Sequence, residues 1–409
     1  MLREHYSSSH LDRRMFLKAT AASTALAALG LPALARTRTQ DQSTSASGKQ
    51  LSILVLGGTG FIGPHIVERA LTRGHDVTLF NRGKTNTELF PDQEKLYGDR
   101  DPKVGEGLKA IEAEVHSGRS WDAVVDTSGY VPRIVGASAN LLARNAGQYV
   151  FVSSVSVYAD QEKQNITEDD AVGVMADPTV EEMGEQFENY GPLKALCEQA
   201  ATEAMQGNAT NVRPGFIVGP RDPFPPRFNL WVSRIKAGGE RVCPGNQADS
   251  VQLIDARDLA AFIINAIENR TMGTFNLVGP AEMLTIEQMV DGIEEGIGGT
   301  ALQSRDGGSG SPSRAPLQRI WIPTDFLEAQ QATFGFIPWV PPTSGLATVS
   351  NAKAKVAGYT STPVSTTARD TLAWLESDDP SERLKTALND LLTNGQEQQL
   401  LEAWKKRDQ

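Results

Sequence analysis

The stretch Leu51–Gly63, Leu-Ser-Ile-Leu-Val-Leu-Gly-Gly-Thr-Gly-Phe-Ile-Gly, constrains this chain more than any other. Its apolar run predicts a strand buried on both faces. Its glycines stand where a strand must turn sharply into a helix. Gly57 permits the tight turn, Gly60 lets the backbone approach a pyrophosphate, and Gly63 lets the helix close on the sheet. Thr59, Phe61 and Ile62 complete the loop, and free N–H groups at the helix start face an anion. The stretch is a candidate dinucleotide-binding turn; a plain strand-to-helix turn is the bland alternative.

The pattern repeats downstream. Short apolar runs at 51–57, 76–80, 122–126 and 149–153 read as strands. Stretches 61–73, 104–117 and 133–145 read as the helices between them. This alternation predicts an α/β fold, a Rossmann-like doubly wound parallel sheet covered on both faces. Beyond about residue 225 the pattern is less regular. Helices are expected at 257–268, 284–296, 366–377 and 381–406, with a Gly/Ser/Pro-rich break at 305–316. We therefore expect a dinucleotide-binding region over 51–225, also receiving segments near 250–280. A smaller, interleaved region over 226–409 is expected to bind substrate.

The N-terminus reads as an address. Asp12-Arg13-Arg14-Met15-Phe16-Leu17-Lys18 precedes a mildly apolar, Ala-rich run that ends in Ala33-Leu34-Ala35. This looks like a twin-arginine export signal over 1–35, cleaved after Ala35, followed by a disordered polar linker over 36–50. A run of that length, broken by Pro32, is short for a permanent span of roughly 20 residues. The expected location is periplasmic or otherwise extracytoplasmic. The pathway carries folded proteins, which anticipates a tightly held cofactor.

Composition removes other classes. With 39 Lys and Arg against 50 Asp and Glu among 409 residues, the net charge is −11. Such a surface repels phosphate backbones, so nucleic acid is not an expected partner. Two cysteines, Cys197 and Cys243, and five scattered histidines make no metal-ligand spacing, and no metal is expected. Whether the two cysteines pair is left open.

Two further constellations carry chemistry. An acid at the end of the second strand would bind the ribose 2′-hydroxyl of NAD. This chain has Asn81-Arg82-Gly83-Lys84 instead. With no carboxylate to repel a 2′-phosphate and Arg82 able to pair with one, the spacing leans to NADP over NAD. Tyr190-Gly191-Pro192-Leu193-Lys194 is a Tyr-x-x-x-Lys spacing, which shares one helix face. Pro192 belongs in a first turn, so the helix should begin near Tyr190. A nearby ammonium would lower the phenol pKa from about 10. Ser154, just past the fourth apolar run, faces the ligand crevice and can hydrogen-bond a substrate oxygen. Ser153 and Ser156 are expected only to satisfy strand-end amides.

In sequence order, these motifs, with Gly98-Asp99, Val157-Tyr158, Arg213-Pro214 through Gly219-Pro220 and Asp258-Leu259-Ala260, resemble the extended short-chain dehydrogenase/reductase family, in its epimerase/dehydratase branch. The resemblance covers about 51–280. It implies Asp99 as the adenine-contacting acid, and Ser154, Tyr190 and Lys194 as catalytic residues. Tyr190 and Lys194 would also contact the cofactor. It implies an NAD(P)-dependent oxidoreductase or epimerase acting on a hydroxyl or keto group of a sugar-like or other small molecule. A homodimer is left open as the oligomeric state. Asp126-Thr127-Ser128-Gly129-Tyr130 departs from the family's His-x-Ala-Ala, and Val155-Ser156 after Ser154 argues against dehydration. The acidic stretch 160–188 reads as a lid or as a solvated insertion. Asn229, Trp231 and Arg257 are candidate substrate contacts, with packing the favoured role for each. The rival class is a non-catalytic dinucleotide-binding relic that serves as a scaffold or sensor.

Overall fold

The computed structural model describes residues 49–223, 225–303, 316–393 and 395–407. The export signal, nearly all of the polar linker and most of the 305–316 break lie outside the described residues.

The strands β1 (Ser52–Leu56), β2 (Asp76–Asn81), β3 (Glu94–Tyr97), β4 (Ala123–Asp126), β5 (Tyr149–Val152), β6 (Ala209–Pro214) and β7 (Gly273–Leu277) form one sheet. Its order is β7-β6-β5-β4-β1-β2-β3, parallel throughout. The helices around it are α1 (Ile62–Thr72), α2 (Lys109–His116), α3 (Pro132–Leu142), α4 (Tyr190–Met205) and α6 (Ala256–Glu268). A parallel strand must return through a crossover, so helices cover both faces. The β1 strand shows why its run is continuously apolar. Ile53 and Val55 join one core with Ile66 and Val67 of α1 and Leu259 and Ile263 of α6. Leu54 and Leu56 join the opposite core with Val135 and Leu142 of α3 and Cys197 of α4.

A third core lies beyond the sheet. It gathers Phe228, Trp231 and Val232 of α5 (Phe228–Ala237), Met289 and Ile293 of α7 (Ile286–Gln303), Ala368 and Leu372 of α8 (Val364–Leu375), and Trp339. The chain crosses between the two regions several times, as the return of 254–277 to the sheet requires.

Three expectations change. The helix expected at 104–117 starts only at Lys109, because Gly105 and Gly107 sit at φ +56° and +54°. The helix expected at 381–406 is two, α9 (Glu382–Thr393) and α10 (Gln396–Lys406), with Gly395 at φ +75° between them. Glu397 at the start of α10 accepts from Arg241 (2.9 Å) and the Val242 N–H (2.9 Å), and pairs with Arg234. That charge cluster pulls the second helix onto the third core. The sheet also recruits β3, β6 and β7. Glu-Lys-Leu-Tyr of β3 has no apolar run and no fully buried residue because it is an edge strand. Cys197 and Cys243 are free and buried in separate cores, so they do not pair. Among the described residues no helix is long and apolar enough to cross a membrane.

Candidate active site

All strand carboxyl ends of the parallel sheet open on one edge, where ligands of such sheets bind. The Gly57–Gly63 turn lies there. Gly57 takes φ +96°, its N–H donates to the Phe80 carbonyl (3.0 Å), and a Cβ on it would stand 2.5 Å from Thr127 Oγ1. A Cβ on Gly63 would stand 2.3 Å from the Gly57 carbonyl oxygen, so α1 is seated directly on the turn. A Cβ on Gly60 would meet nothing within 4 Å. Two glycines are thus needed by the protein itself, and the third lines open space. Thr59 is buried, and its carbonyl accepts from Asn86 Nδ2 (2.9 Å). Phe61 and Ile62 direct their side chains into the core, which leaves their backbone for a ligand.

At the end of β2, Asn81 Nδ2 is buried and has no hydrogen-bond partner. An amide donor left unpaired there is costly, and a ribose or phosphate oxygen would satisfy it. Arg82 and Lys84 are exposed. Asp99 follows β3 and accepts from the Asp101 N–H (3.0 Å). The open space at Gly60 and the orphaned Asn81 amide both fit a dinucleotide. Among the described residues no group of three His, Cys, Asp or Glu could hold a metal ion.

Tyr190 is the first residue of α4, as Pro192 in the first turn requires. A Cβ on Gly191 would stand 2.0 Å from the Ser156 carbonyl oxygen. The glycine after Tyr190 therefore lets α4 press onto the Ser154–Ser156 turn, bringing the two catalytic candidates together. The Ser154 hydroxyl accepts from the Ser156 N–H (3.1 Å) and donates to Ser156 Oγ (3.1 Å). Burial raises the Tyr190 phenol above its ordinary pKa, while the nearby Ser154 side chain and the charge of Arg227 pull it down. Ser153 Oγ is buried without a partner, so it satisfies no amide, contrary to expectation.

Lys194 departs from the expected arrangement. Its Nζ donates to the Gly129 carbonyl (2.7 Å) and the Val152 carbonyl (2.6 Å). It lies 4.2 Å from the Phe151 ring centroid and 5.1 Å from that of Tyr130. Burial lowers its pKa to about 8. The ammonium is anchored inward by carbonyls rather than resting on the Tyr190 phenol.

The departure at 126–130 has a structural explanation. Asp126 is fully buried in a two-pronged pair with Arg100 and also accepts from Tyr149 Oη (2.8 Å). A buried carboxylate needs such a partner, and Arg100 stands next to the Gly98-Asp99 motif. The acidic stretch is largely exposed but not merely solvated. Ile166 within it is fully buried, and Glu168 accepts from the Asn276 N–H (2.7 Å). Glu181 grips Arg133 (2.6 Å), which also holds Asp101 (2.8 Å).

Asn229, Trp231 and Arg257 take packing roles. Asn229 donates to the Asp222 carbonyl (3.2 Å), Trp231 donates to the Phe336 carbonyl (3.3 Å), and Arg257 pairs with Asp255 and Asp370. Arg227, not singled out in the sequence, lies within electrostatic reach of Tyr190 and is braced by Asp222 and by the Ile217 carbonyl (3.3 Å).

Comparison with known proteins identifies the fold and the family. A relative from Arabidopsis thaliana, the chloroplast stem-loop binding protein of 41 kDa b, is 28% identical over 58% of this chain and 60% of its own length. A UDP-glucose 4-epimerase from Neisseria meningitidis serogroup A is 30% identical over 38% of this chain and 49% of its own. The chain thus spans about half to three-fifths of the length of these relatives. The Bordetella bronchiseptica enzyme WbmH, solved in complex with NAD+, superposes with a TM-score of 0.55 at 15% identity, covering 81% of this chain and all of that one. Residues 53–278 match the NAD dependent epimerase/dehydratase family, and this chain belongs to that family.

Proposed function

We propose that this chain is an NAD(P)-dependent epimerase or reductase acting on a hydroxyl or keto group of a sugar-like substrate, a nucleotide sugar first among the candidates. The observation that carries the reading is the seating of the α4 start, with Tyr190 at its head, on the Ser154–Ser156 turn through Gly191, on the same sheet edge as the open space at Gly60. When bound, the dinucleotide supplies the acceptor for the hydride leaving the substrate carbon and the donor for its return. Tyr190 takes the proton of the substrate hydroxyl and returns it to the oxygen of the reduced ketone. Ser154 donates a hydrogen bond to that oxygen as charge develops on it. Lys194 supplies a fixed positive charge behind this pair. Asn81 offers its free amide to the adenosine ribose. Arg82 beside it supports NADP, whereas the family description supports NAD.

We further propose export by the twin-arginine route on the motif Arg13-Arg14 with Phe16-Leu17-Lys18. Changing both arginines to lysine is expected to hold the protein in the cytoplasm; unchanged fractionation would refute the signal. An exported enzyme has no obvious pool of reduced dinucleotide to exchange with, so it would recycle one retained cofactor on the same substrate or reset it with a second substrate, and the cofactor should stay bound between turnovers. The test is to titrate the protein with NAD and NADP, then dilute the loaded enzyme far below the measured Kd. It is then assayed on nucleotide sugars with no dinucleotide added. Sustained turnover is expected. A single stoichiometric burst that resumes only on adding dinucleotide would replace the epimerase with an ordinary dehydrogenase.

The relic reading draws on one observation, the similarity to a stem-loop binding protein. Tyr190, Ser154 and Lys194 assembled in one site weigh against it.

A further inference from the structure

We propose that Tyr130 is a positioning residue of this site, whose ring roofs the Lys194 ammonium and keeps it dry and aimed. This rests on the active-site reading given above. The Tyr130 ring touches both partners: its centroid lies 5.1 Å from Lys194 Nζ and 6.3 Å from the Tyr190 ring centroid. Lys194 is 2% exposed, whereas Tyr130 is 36% exposed. The ring is therefore a boundary between a dry ammonium and the open edge. Lys194 makes no ion pair among the described residues. Asp126, at the end of β4, is already neutralised by Arg100. What holds the cation is the pair of carbonyls, Gly129 and Val152, and two ring faces, Phe151 and Tyr130. Gly129 and Tyr130 are adjacent, so one turn supplies both a carbonyl and the roof.

Removing the ring has two opposed effects. The loss of a cation–π contact disfavours the charged lysine. The entry of water favours it, and burial is the largest influence on this group. Burial has moved the lysine from an ordinary 10.5 to about 8, so water entry decides the sign. The other charged or titratable groups facing Lys194 are Asp126, Arg100, Cys197 and Glu198. None of them changes when Tyr130 is replaced. The phenol of Tyr130 is itself pushed up to about 12, so the ring is neutral throughout.

The experiment measures the pH dependence of Lys194 acetylation by acetic anhydride, read by mass spectrometry on the full chain without added dinucleotide. Wild type and Tyr130→Phe are expected to titrate together, because both keep a ring. Tyr130→Ala is expected to titrate higher by roughly one pH unit or more, towards an exposed lysine. Tyr130→Ser is the second probe if the alanine variant does not fold, with the same expected shift. Coincident titration in all variants, or Tyr130→Phe moving with Tyr130→Ala, overturns the proposal. NAD and NADP titrations of the same variants separate this result from the functional reading. An unshifted lysine with normal dinucleotide binding sinks the role of Tyr130 alone. A shifted lysine in a chain that binds neither dinucleotide sinks the functional reading alone.

Discussion

Tyr190→Phe is expected to lower kcat on any substrate the enzyme turns over by about 10²–10⁴-fold, the range for losing a positioned acid–base group. Dinucleotide affinity should stay near that of the wild type, because the phenol hydroxyl is lost but the ring, the α4 start and Lys194 remain. The fold should tolerate the change: Gly191 against the Ser156 carbonyl, not the phenol, sets the seat of α4. Measuring kcat and dinucleotide Kd side by side checks this. Undiminished activity would remove Tyr190 from the chemistry. A wild type that binds dinucleotide yet never changes its absorbance with any nucleotide sugar would move the protein to the relic class.

The glycine turn offers a second large effect, and it separates structure from binding. Gly63→Ala places a methyl group 2.3 Å from the Gly57 carbonyl oxygen and 2.7 Å from the Gly58 carbonyl carbon. Both neighbours are backbone, so α1 must lift off the turn, at a cost of about 1–3 kcal/mol. A lowered Tm is expected. Gly60→Ala meets nothing within 4 Å and needs no positive φ, so its Tm should equal that of the wild type. Its methyl group would occupy space that a pyrophosphate needs, and dinucleotide affinity should fall at least about tenfold, or about 1.4 kcal/mol. Thermal melts and dinucleotide titrations of the two variants decide it. Gly60→Ala with unchanged affinity would mean that the open space is not the phosphate site.

Some of this site was legible because its causes are local. Pro192 cannot sit inside a helix, so Tyr190 had to open one. The run Ile53–Leu56 had to be a strand buried on both faces, since it lacks polar alternation. Arg100 was readable in principle: Asp126 closes an apolar strand, and a buried carboxylate demands a cation. The 381–406 helix failed at Gly395, which takes φ +75° between α9 and α10; the Asn394-Gly395 pair is itself a turn signal in the sequence. Strand β3 was invisible because an edge strand need not be apolar.

What the sequence by itself determined is the set of elements and the residues at their ends. Backbone sterics, the reach of a glycine and the period of burial all act over a few residues, and they leave a local mark. They put Gly57, Gly60 and Gly63 at one strand end, Ser154 at another, and Tyr190 with Lys194 on one helix face. The tertiary structure alone decided what surrounds those groups. Lys194 takes its carbonyls from residues 42 and 65 positions away in sequence. Tyr130, Arg100 and Arg227 reach the site from three separate loops. The physical reason is that charge and hydration in a buried site depend on every atom within several ångströms, whatever its place in the chain.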